Sequence, residues 1–299
     1  MSRAMVYQGS RVSRPRHYLM CRPTHFEVVY SINPWMDPSR CASADAGLSQ
    51  WKLLHDLLVD LGHTVDLIEP SPGLPDMVFA ANGAVAVGGQ ALVARFRHEQ
   101  RAPEAAGYLE WFGLRGWREV RQADFVNEGE GDFLQAGSRI LAGTGFRTEP
   151  KAHREAEEFF GRPVVGLTLI DPRFYHLDTA LAVLDNDEIM YYPGAFAPES
   201  RDLLAALYPD AVLAEEADAV VFGLNAVSDG RHVLLPAGTR NLAGELRDRG
   251  FVTFDVTIAE LLKAGGGVKC CTLELHTHAD STAAGGSSAE MPPESDTPF

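Results

Sequence analysis

Leu48-Ser49-Gln50-Trp51-Lys52-Leu53-Leu54-His55-Asp56-Leu57-Leu58-Val59-Asp60-Leu61-Gly62-His63-Thr64-Val65-Asp66-Leu67-Ile68 is the stretch on which the reading of the fold turns. Leu48, Trp51, Leu54, Leu57, Leu58 and Leu61 recur at helical spacing, which predicts a helix over residues 47–61. Gly62 ends it, and residues 64–68 read as a strand. Downstream, residues 83–87 and 91–96 form an apolar pair joined at Gly88-Gly89, the pattern of a hairpin. One helix, one strand and one hairpin therefore make a unit.

The unit recurs. Helical patterns begin near residues 49, 103, 151, 199 and 239, each followed by a glycine or proline and a strand. Further strands are predicted at 117–120, 163–169, 179–184, 188–192, 211–214, 219–224, 232–235, 251–256 and 268–275. A repeat of about 40 to 50 residues marks a radial or stacked architecture. A doubly wound sheet also alternates helix and strand, but it does not add two strands to every unit. The expected fold is a five-bladed, pseudo-fivefold α/β propeller of strand–strand–helix–strand modules, with turns from several blades meeting at one end.

Composition limits what the chain can do. At 299 residues it can bury a full core without staples. Its four cysteines, Cys21, Cys41, Cys270 and Cys271, form no disulfide framework and suit a reducing, cytoplasmic setting. A net charge of -15 argues against nucleic acid as a partner, and no apolar run approaches a membrane span. A small-molecule substrate is expected, and a homo-oligomer stays open. Residues 1–19 read as a flexible arginine-rich extension, 20–276 as one domain, and 277–299 as a disordered tail. His276 and His278 lack metal-site neighbours at suitable spacing and read as exposed tail histidines. No metal or organic cofactor is implied.

Polar residues of chemical interest interrupt the apolar strands. Asp76 and Asn82 bracket Met77-Val78-Phe79; Glu128, Glu130 and Asp132 share a glycine turn; His176 and Asp178 lie two apart, as if on one face of a strand. Near the end, Gly265-Gly266-Gly267-Val268-Lys269-Cys270-Cys271 holds a cysteine on a tight turn. Buried free cysteine is ordinarily inert. Together with an imidazole, several carboxylates, and Arg101 and Arg147 for an anionic group, however, Cys270 completes a nucleophilic set.

That set resembles the guanidine-modifying superfamily of arginine deiminases, dimethylarginine dimethylaminohydrolases and amidinotransferases. The resemblance covers residues 20–276 and rests on four motifs in order: Leu74-Pro75-Asp76-Met77-Val78-Phe79-Ala80-Ala81-Asn82, Glu128-Gly129-Glu130-Gly131-Asp132, His176-Leu177-Asp178-Thr179 and the glycine turn before Cys270. It implies a five-bladed propeller with Cys270 as nucleophile, His176 as general acid/base, and Glu128 or Glu130 as the catalytic carboxylate. Asp76, Asn82, Asp178, Arg101, Arg147 and Asn33 become substrate-binding positions, the two arginines for a carboxylate. The glycine turn carries one extra residue compared with the family's Glu-Gly-Gly-Asp, and Asn82 stands where deiminases commonly have aspartate. With Asn33-Pro34-Trp35-Met36, these departures resemble the arginine dihydrolases, which convert arginine through citrulline to ornithine. Dimethylargininase and arginine deiminase are the alternatives, and an arginine-binding sensor or scaffold is the non-enzyme alternative. Either a protonated His176 or a bound guanidinium beside Cys270 would favour the thiolate.

Overall fold

The computed structural model describes residues 10–276. The expectations for residues 1–9, for 277–299 and for His278 lie outside them. In chain order, β1 (His17–Cys21), α1 (Ala44–Asp60) and β2 (Thr64–Ile68) open the fold. Four full modules follow. The first is β3 (Ala84–Val87), β4 (Gln90–Val93), α2 (Glu104–Gly113) and β5 (Glu119–Gln122), and the second β6 (Phe133–Ala136), β7 (Arg139–Thr144), α3 (Pro150–Phe160) and β8 (Val164–Thr168). The third is β9 (Leu181–Asp185), β10 (Glu188–Tyr191), α4 (Pro198–Leu207) and β11 (Val212–Leu213). After the short α5 (Glu216–Ala219) come β12 (Val227–Ser228), β13 (His232–Pro236), α6 (Arg240–Asp248) and β14 (Val252–Val256), then α7 (Ala259–Leu262) and β15 (Leu273–Glu274).

These strands form five three-stranded sheets, β15-β1-β2, β3-β4-β5, β6-β7-β8, β9-β10-β11 and β12-β13-β14. In each, the middle strand is antiparallel to the first and parallel to the third. A parallel neighbour requires a crossover, and the helix of each module supplies it. The expected five-bladed α/β propeller is therefore the observed architecture. The first blade takes strands from both chain ends, with Tyr18 opposite Glu274 and Leu19 opposite Leu273.

Burial falls from the axis outward. β3 is buried along its whole length, whereas β2 and β5 are mostly half-buried. Inner strands touch across blades, β15 against β3, β6 against β9, and β9 against β12. A strand covered on both faces reads as a continuous apolar run, as Ala84-Val85-Ala86-Val87 does. Helix α1 begins earlier than the apolar pattern indicates, because the Ser43 hydroxyl caps it by accepting from the Ala46 amide. Its buried face is Gly47, Trp51, Leu54 and Leu58, while Leu48 is exposed.

Two sequence expectations need correction. Residues 10–19 are not a loose extension: Arg11 is buried, stacks on Phe251 and forks onto the Glu188 carboxylate. His276 is not an exposed tail residue either, being 8% exposed and bridged through its backbone to Val87.

Candidate active site

A turn precedes the inner strand of every blade. Four are 3-10 turns, at Ala80–Gly83, Gly129–Gly131, Leu177–Thr179 and Lys269–Cys271, and the fifth is an irregular loop over residues 220–226. The motifs read from sequence as strand residues lie on these turns. The segment 77–79 belongs to two consecutive 3-10 turns, and Leu177–Thr179 is likewise not a strand. Residues 219–224 are also not a strand: they end α5 and turn at Phe222, whose φ is 64°. Those segments are apolar because they lie buried at the axis, which mimics the composition of a strand.

Cys270 is 2% exposed. Its thiol donates to Asp178 Oδ2 at 3.3 Å, and its sulphur accepts from Asn225 Nδ2 at 3.1 Å. Burial, and next the Asp178 charge, push this thiol well above the usual range. The protein by itself thus holds a protonated thiol, contrary to the depressed value a nearby cation would give. Asp178 is itself raised to about 7 by burial, with the Lys269 ammonium the largest opposing influence.

His176 lies in the next turn, with Nε2 at 2.8 Å from Glu128 Oε2. Burial alone would raise Glu128, but Arg147 and His176 outweigh it and hold the carboxylate well below its usual range. An ionised carboxylate can only accept, so Nε2 carries the proton of this bond. Arg147 donates to the same oxygen at 2.6 Å and to the Ile32 carbonyl at 3.0 Å, with its guanidinium over the Tyr175 ring. Two carbon-poor positions allow this closeness. A Cβ on Gly131 would lie 2.5 Å from Asn82 Nδ2 and 3.2 Å from His176 Nδ1, and at Gly129, with φ 54°, one would lie 2.6 Å from the Ala81 carbonyl. Around these two glycines the turn sends Glu128 toward His176 and Glu130 toward Lys269.

Asn82 is oriented by Arg101. Nη1 of the arginine donates at 2.8 Å, and since arginine has no acceptor, the facing atom is Asn82 Oδ1. The Asn82 amide NH2 is therefore turned away from Arg101. Arg101 also forks onto Glu104 at 2.8 and 2.9 Å and reaches the Asp76 carbonyl at 3.2 Å. Four of its five N–H groups are thus engaged within the protein. Arg147 keeps more unpaired N–H groups. Asp76 Oδ2 accepts from Tyr30 at 3.0 Å. Among the described residues, four of the buried polar atoms without a hydrogen-bond partner lie here, Asp76 Oδ1, Asn82 Nδ2, His176 Nδ1 and Asp178 Oδ1. Native proteins rarely tolerate such atoms, and four in one cluster of turns mark a place built for a polar ligand.

Other candidates lie apart. Glu130 turns away and accepts from Lys269 Nζ and from the Glu274 amide, both at 2.8 Å. Asn33 is occupied with backbone, donating to the Ala264 carbonyl at 3.1 Å and accepting from the Trp35 amide at 2.9 Å. Asp132 steadies the histidine turn, accepting from Thr148 Oγ1 at 2.7 Å and from the Leu177 amide at 3.0 Å. Asn225 was not foreseen. Its signal was available: like Asn82 before β3, it stands two residues before the inner strand β12.

Fold and site together define the class, a cysteine-containing hydrolase of amidine C–N bonds in the amidinotransferase superfamily. No protein-family model matches the sequence. The chain is 52% identical over 266 residues to N(G),N(G)-dimethylarginine dimethylaminohydrolase of Mycobacterium tuberculosis, covering 89% of this chain and 88% of that protein. It is 38% identical to the bifunctional arginine dihydrolase/ornithine cyclodeaminase ArgZ of Synechocystis, covering 86% of this chain but 37% of that longer protein. The solved N-terminal domain of ArgZ superposes with a TM-score of 0.84 at 36% identity, covering 88% of this chain and 99% of the domain. The dimethylarginine dimethylaminohydrolase of Pseudomonas aeruginosa shares the fold, with a TM-score of 0.74 at 20% identity, covering 87% of this chain and 99% of that one. The chain belongs to the family of dimethylarginine dimethylaminohydrolases and arginine dihydrolases.

Proposed function

We propose that this protein is an arginine dihydrolase, cleaving the guanidino group of arginine through citrulline to ornithine and ammonia. The observation that carries this reading is the hydrogen bond from Arg101 to Asn82 Oδ1. It leaves Asn82 Nδ2 as a donor without a partner. A donor suits the carbonyl oxygen of a neutral ureido group, whereas a carboxylate at the same point would favour a cationic guanidinium. Dimethylargininase is the second reading, favoured by the 52% identity to the Mycobacterium protein.

In either case the chemistry is the same at its start. Asp76 Oδ1 and Asp178 Oδ1 accept guanidinium N–H groups, and Arg147 binds the amino acid's carboxylate. As the cation arrives, the Cys270 proton passes along its hydrogen bond to Asp178, raised to about 7 and thus a base of suitable strength. The thiolate attacks the guanidino carbon. His176, oriented by Glu128, protonates the departing amine, and the adduct collapses to a thiouronium. The neutral imidazole then takes a proton from water, hydroxide adds, and the sulphur leaves. With citrulline, the second round expels ammonia first and leaves an N-alkyl carbamoyl thioester on Cys270; water converts it to a carbamate, which loses carbon dioxide to give ornithine.

Residues 20–276 act as one catalytic domain in this reading, in the cytoplasm and without metal or organic cofactor; a homo-oligomer is compatible with it. No helix among the described residues is long and apolar enough to cross a membrane. The test is product analysis after separate incubation with arginine, citrulline and asymmetric dimethylarginine. Ornithine from both arginine and citrulline supports the dihydrolase, and Asn82→Asp should then depress citrulline hydrolysis more than the first step. Citrulline and dimethylamine from the methylated substrate alone would replace it with dimethylargininase.

A further inference from the structure

Asn225 sits on the blade whose turn none of the sequence motifs reached, and every polar atom of its side chain is engaged around Cys270. Oδ1 accepts from the Cys270 backbone amide at 3.2 Å, while Nδ2 donates to the Cys270 sulphur at 3.1 Å and to the Asp178 carbonyl at 3.1 Å. The first of these bonds fixes which end of the amide faces the sulphur, because a backbone N–H can only donate. The side chain is fully buried. Its position is set by an unusual turn, in which Phe222 adopts φ 64° and its carbonyl accepts from the Asn225 amide at 2.8 Å. A bulky aromatic residue rarely takes that conformation, and such backbone persists where the surroundings impose it. The facing glycine turn is fitted to the same side chain, since a Cβ on Gly267 would lie 2.5 Å from Asn225 Oδ1.

We propose that Asn225 is a catalytic residue of this site, whose amide N–H stabilises the Cys270 thiolate and aims it at the guanidino carbon. The inference rests on the reading of Cys270 as nucleophile. The sulphur stands between one donor, Asn225, and one acceptor, Asp178. When the proton moves to Asp178 Oδ2, negative charge grows on a sulphur that already has an N–H directed at it. A hydrogen bond strengthens as its acceptor becomes charged, so Asn225 favours the thiolate over the thiol. It does so without adding a cation that would repel the guanidinium.

The experiment is the pH dependence of Cys270 alkylation by iodoacetamide, followed by intact mass and peptide mapping without substrate, in the native protein, Asn225→Asp and Asn225→Ala. Asn225→Asp keeps the acceptor for the Cys270 amide but presents a carboxylate to the sulphur. The alkylation midpoint should rise by about one to two pH units in Asn225→Ala, and at least as far in Asn225→Asp. On arginine, kcat should fall about ten- to a hundredfold or more with KM nearly unchanged. A purely structural Asn225 would leave the midpoint of the folded variants where it is, and that result overturns the proposal. If iodoacetamide labels Cys271 and spares Cys270 in the native protein, the nucleophile assignment itself fails, an outcome distinct from an unmoved midpoint.

Discussion

Glu128 and Glu130 stand two residues apart on one turn, both buried, and the protein uses them in opposite ways. Glu128 faces His176 and Arg147 and is held ionised well below the usual range. Glu130 faces the other end of the axis, where Lys269, Glu274 and His276 gather, and burial raises it despite the Lys269 ammonium. The inner strands connect these ends. Their turns carry Cys270, His176 and Asn82, while at their far tips Gly137 lies against Asn186, and Gly230 meets Val12 and Arg14 of the N-terminal segment. A cavity at the far end is lined by Tyr18, Gln135, Lys269, Glu274 and His276. Which end a carboxylate faces, rather than its depth of burial, decides whether it joins the chemistry.

The sharpest break in that comparison is at the nucleophile. Cys270→Ser should lower kcat by on the order of 10^4-fold or more, since the hydroxyl is a far weaker nucleophile here. Cys271→Ser, at a buried position among apolar side chains, should keep most of its turnover and lose stability. Steady-state rates and thermal melting of the two variants check this; equal loss of turnover in both would remove the distinction.

Next come the two glutamates. Glu128→Gln should cost about 10^2- to 10^4-fold in kcat, because the imidazole loses the ionised partner that orients it. Glu130→Gln should change kcat little but destabilise the fold by about 3 to 5 kcal/mol, leaving the Lys269 ammonium buried without its carboxylate. Pairing it with Lys269→Met should recover much of that stability. A kcat collapse in Glu130→Gln, with Glu128→Gln active, would exchange the two ends.

The pH prediction follows from Asp178. Its folded value of about 7 is above that of an unfolded aspartate, so its contribution to stability is complete below about 4 and is lost as pH rises through about 7. Glu104, raised to about 7, and Asp132, raised to about 6, act in the same direction. Glu128 acts oppositely, its lowered value giving stability above the unfolded range that disappears in strong acid. Asp178→Asn should therefore stabilise the fold at pH 8 to 9 by up to about 4 kcal/mol and little at pH 4. In the native enzyme, kcat/KM for cationic arginine should fall below about pH 7 as the Cys270–Asp178 pair loses its negative charge. Citrulline is attacked by the same thiolate and should show an acid limb near the same pH. Melting curves and pH–rate profiles give both readouts, and a rate that stays flat through pH 7 for either substrate would contradict the role of Asp178.

The blades were legible because helix, glycine and strand repeat in a pattern that chain length alone could not disguise. Asp76, Glu128, His176, Asp178 and Cys270 were legible as candidates through motif and order, and the fold gathers them on neighbouring turns. Their setting was not legible. Buried turns have the apolar composition of strands, so 77–79 and 219–224 read as strands, and the second misreading hid Asn225. The opposite directions of Glu128 and Glu130 depend on φ at Gly129, 54°, which composition does not encode. Arg101 looked free because its partner Glu104 starts the next helix, at a spacing that only the folded loop brings into register. Residues 10–19 looked loose because their contacts are with Asp185, Glu188 and Asp229, far away in sequence.

That last contact set gives the mildest test of the division between the ends. Arg11 forks onto Glu188 at 2.8 and 3.0 Å, donates to the Arg249 carbonyl at 2.7 Å and stacks on Phe251. Ser13 donates to Asp229 and Arg16 pairs with Glu274, so the segment crosses the far end without reaching the catalytic turns. Stacking and a charge-assisted fork at a largely buried site point to about 1 to 3 kcal/mol for Arg11→Ala. Its kcat and KM should match the native values within about twofold at a temperature where both proteins are folded, because the contacts described for this segment run to Glu188, Asp229, Arg249 and Glu274 and away from Cys270. Chemical denaturation measures the first quantity and initial rates the second. Lost stability with intact kinetics is the expected result. A variant that melts normally but turns over slowly would mean that the far end communicates with Cys270, and the two ends would have to be treated as one site.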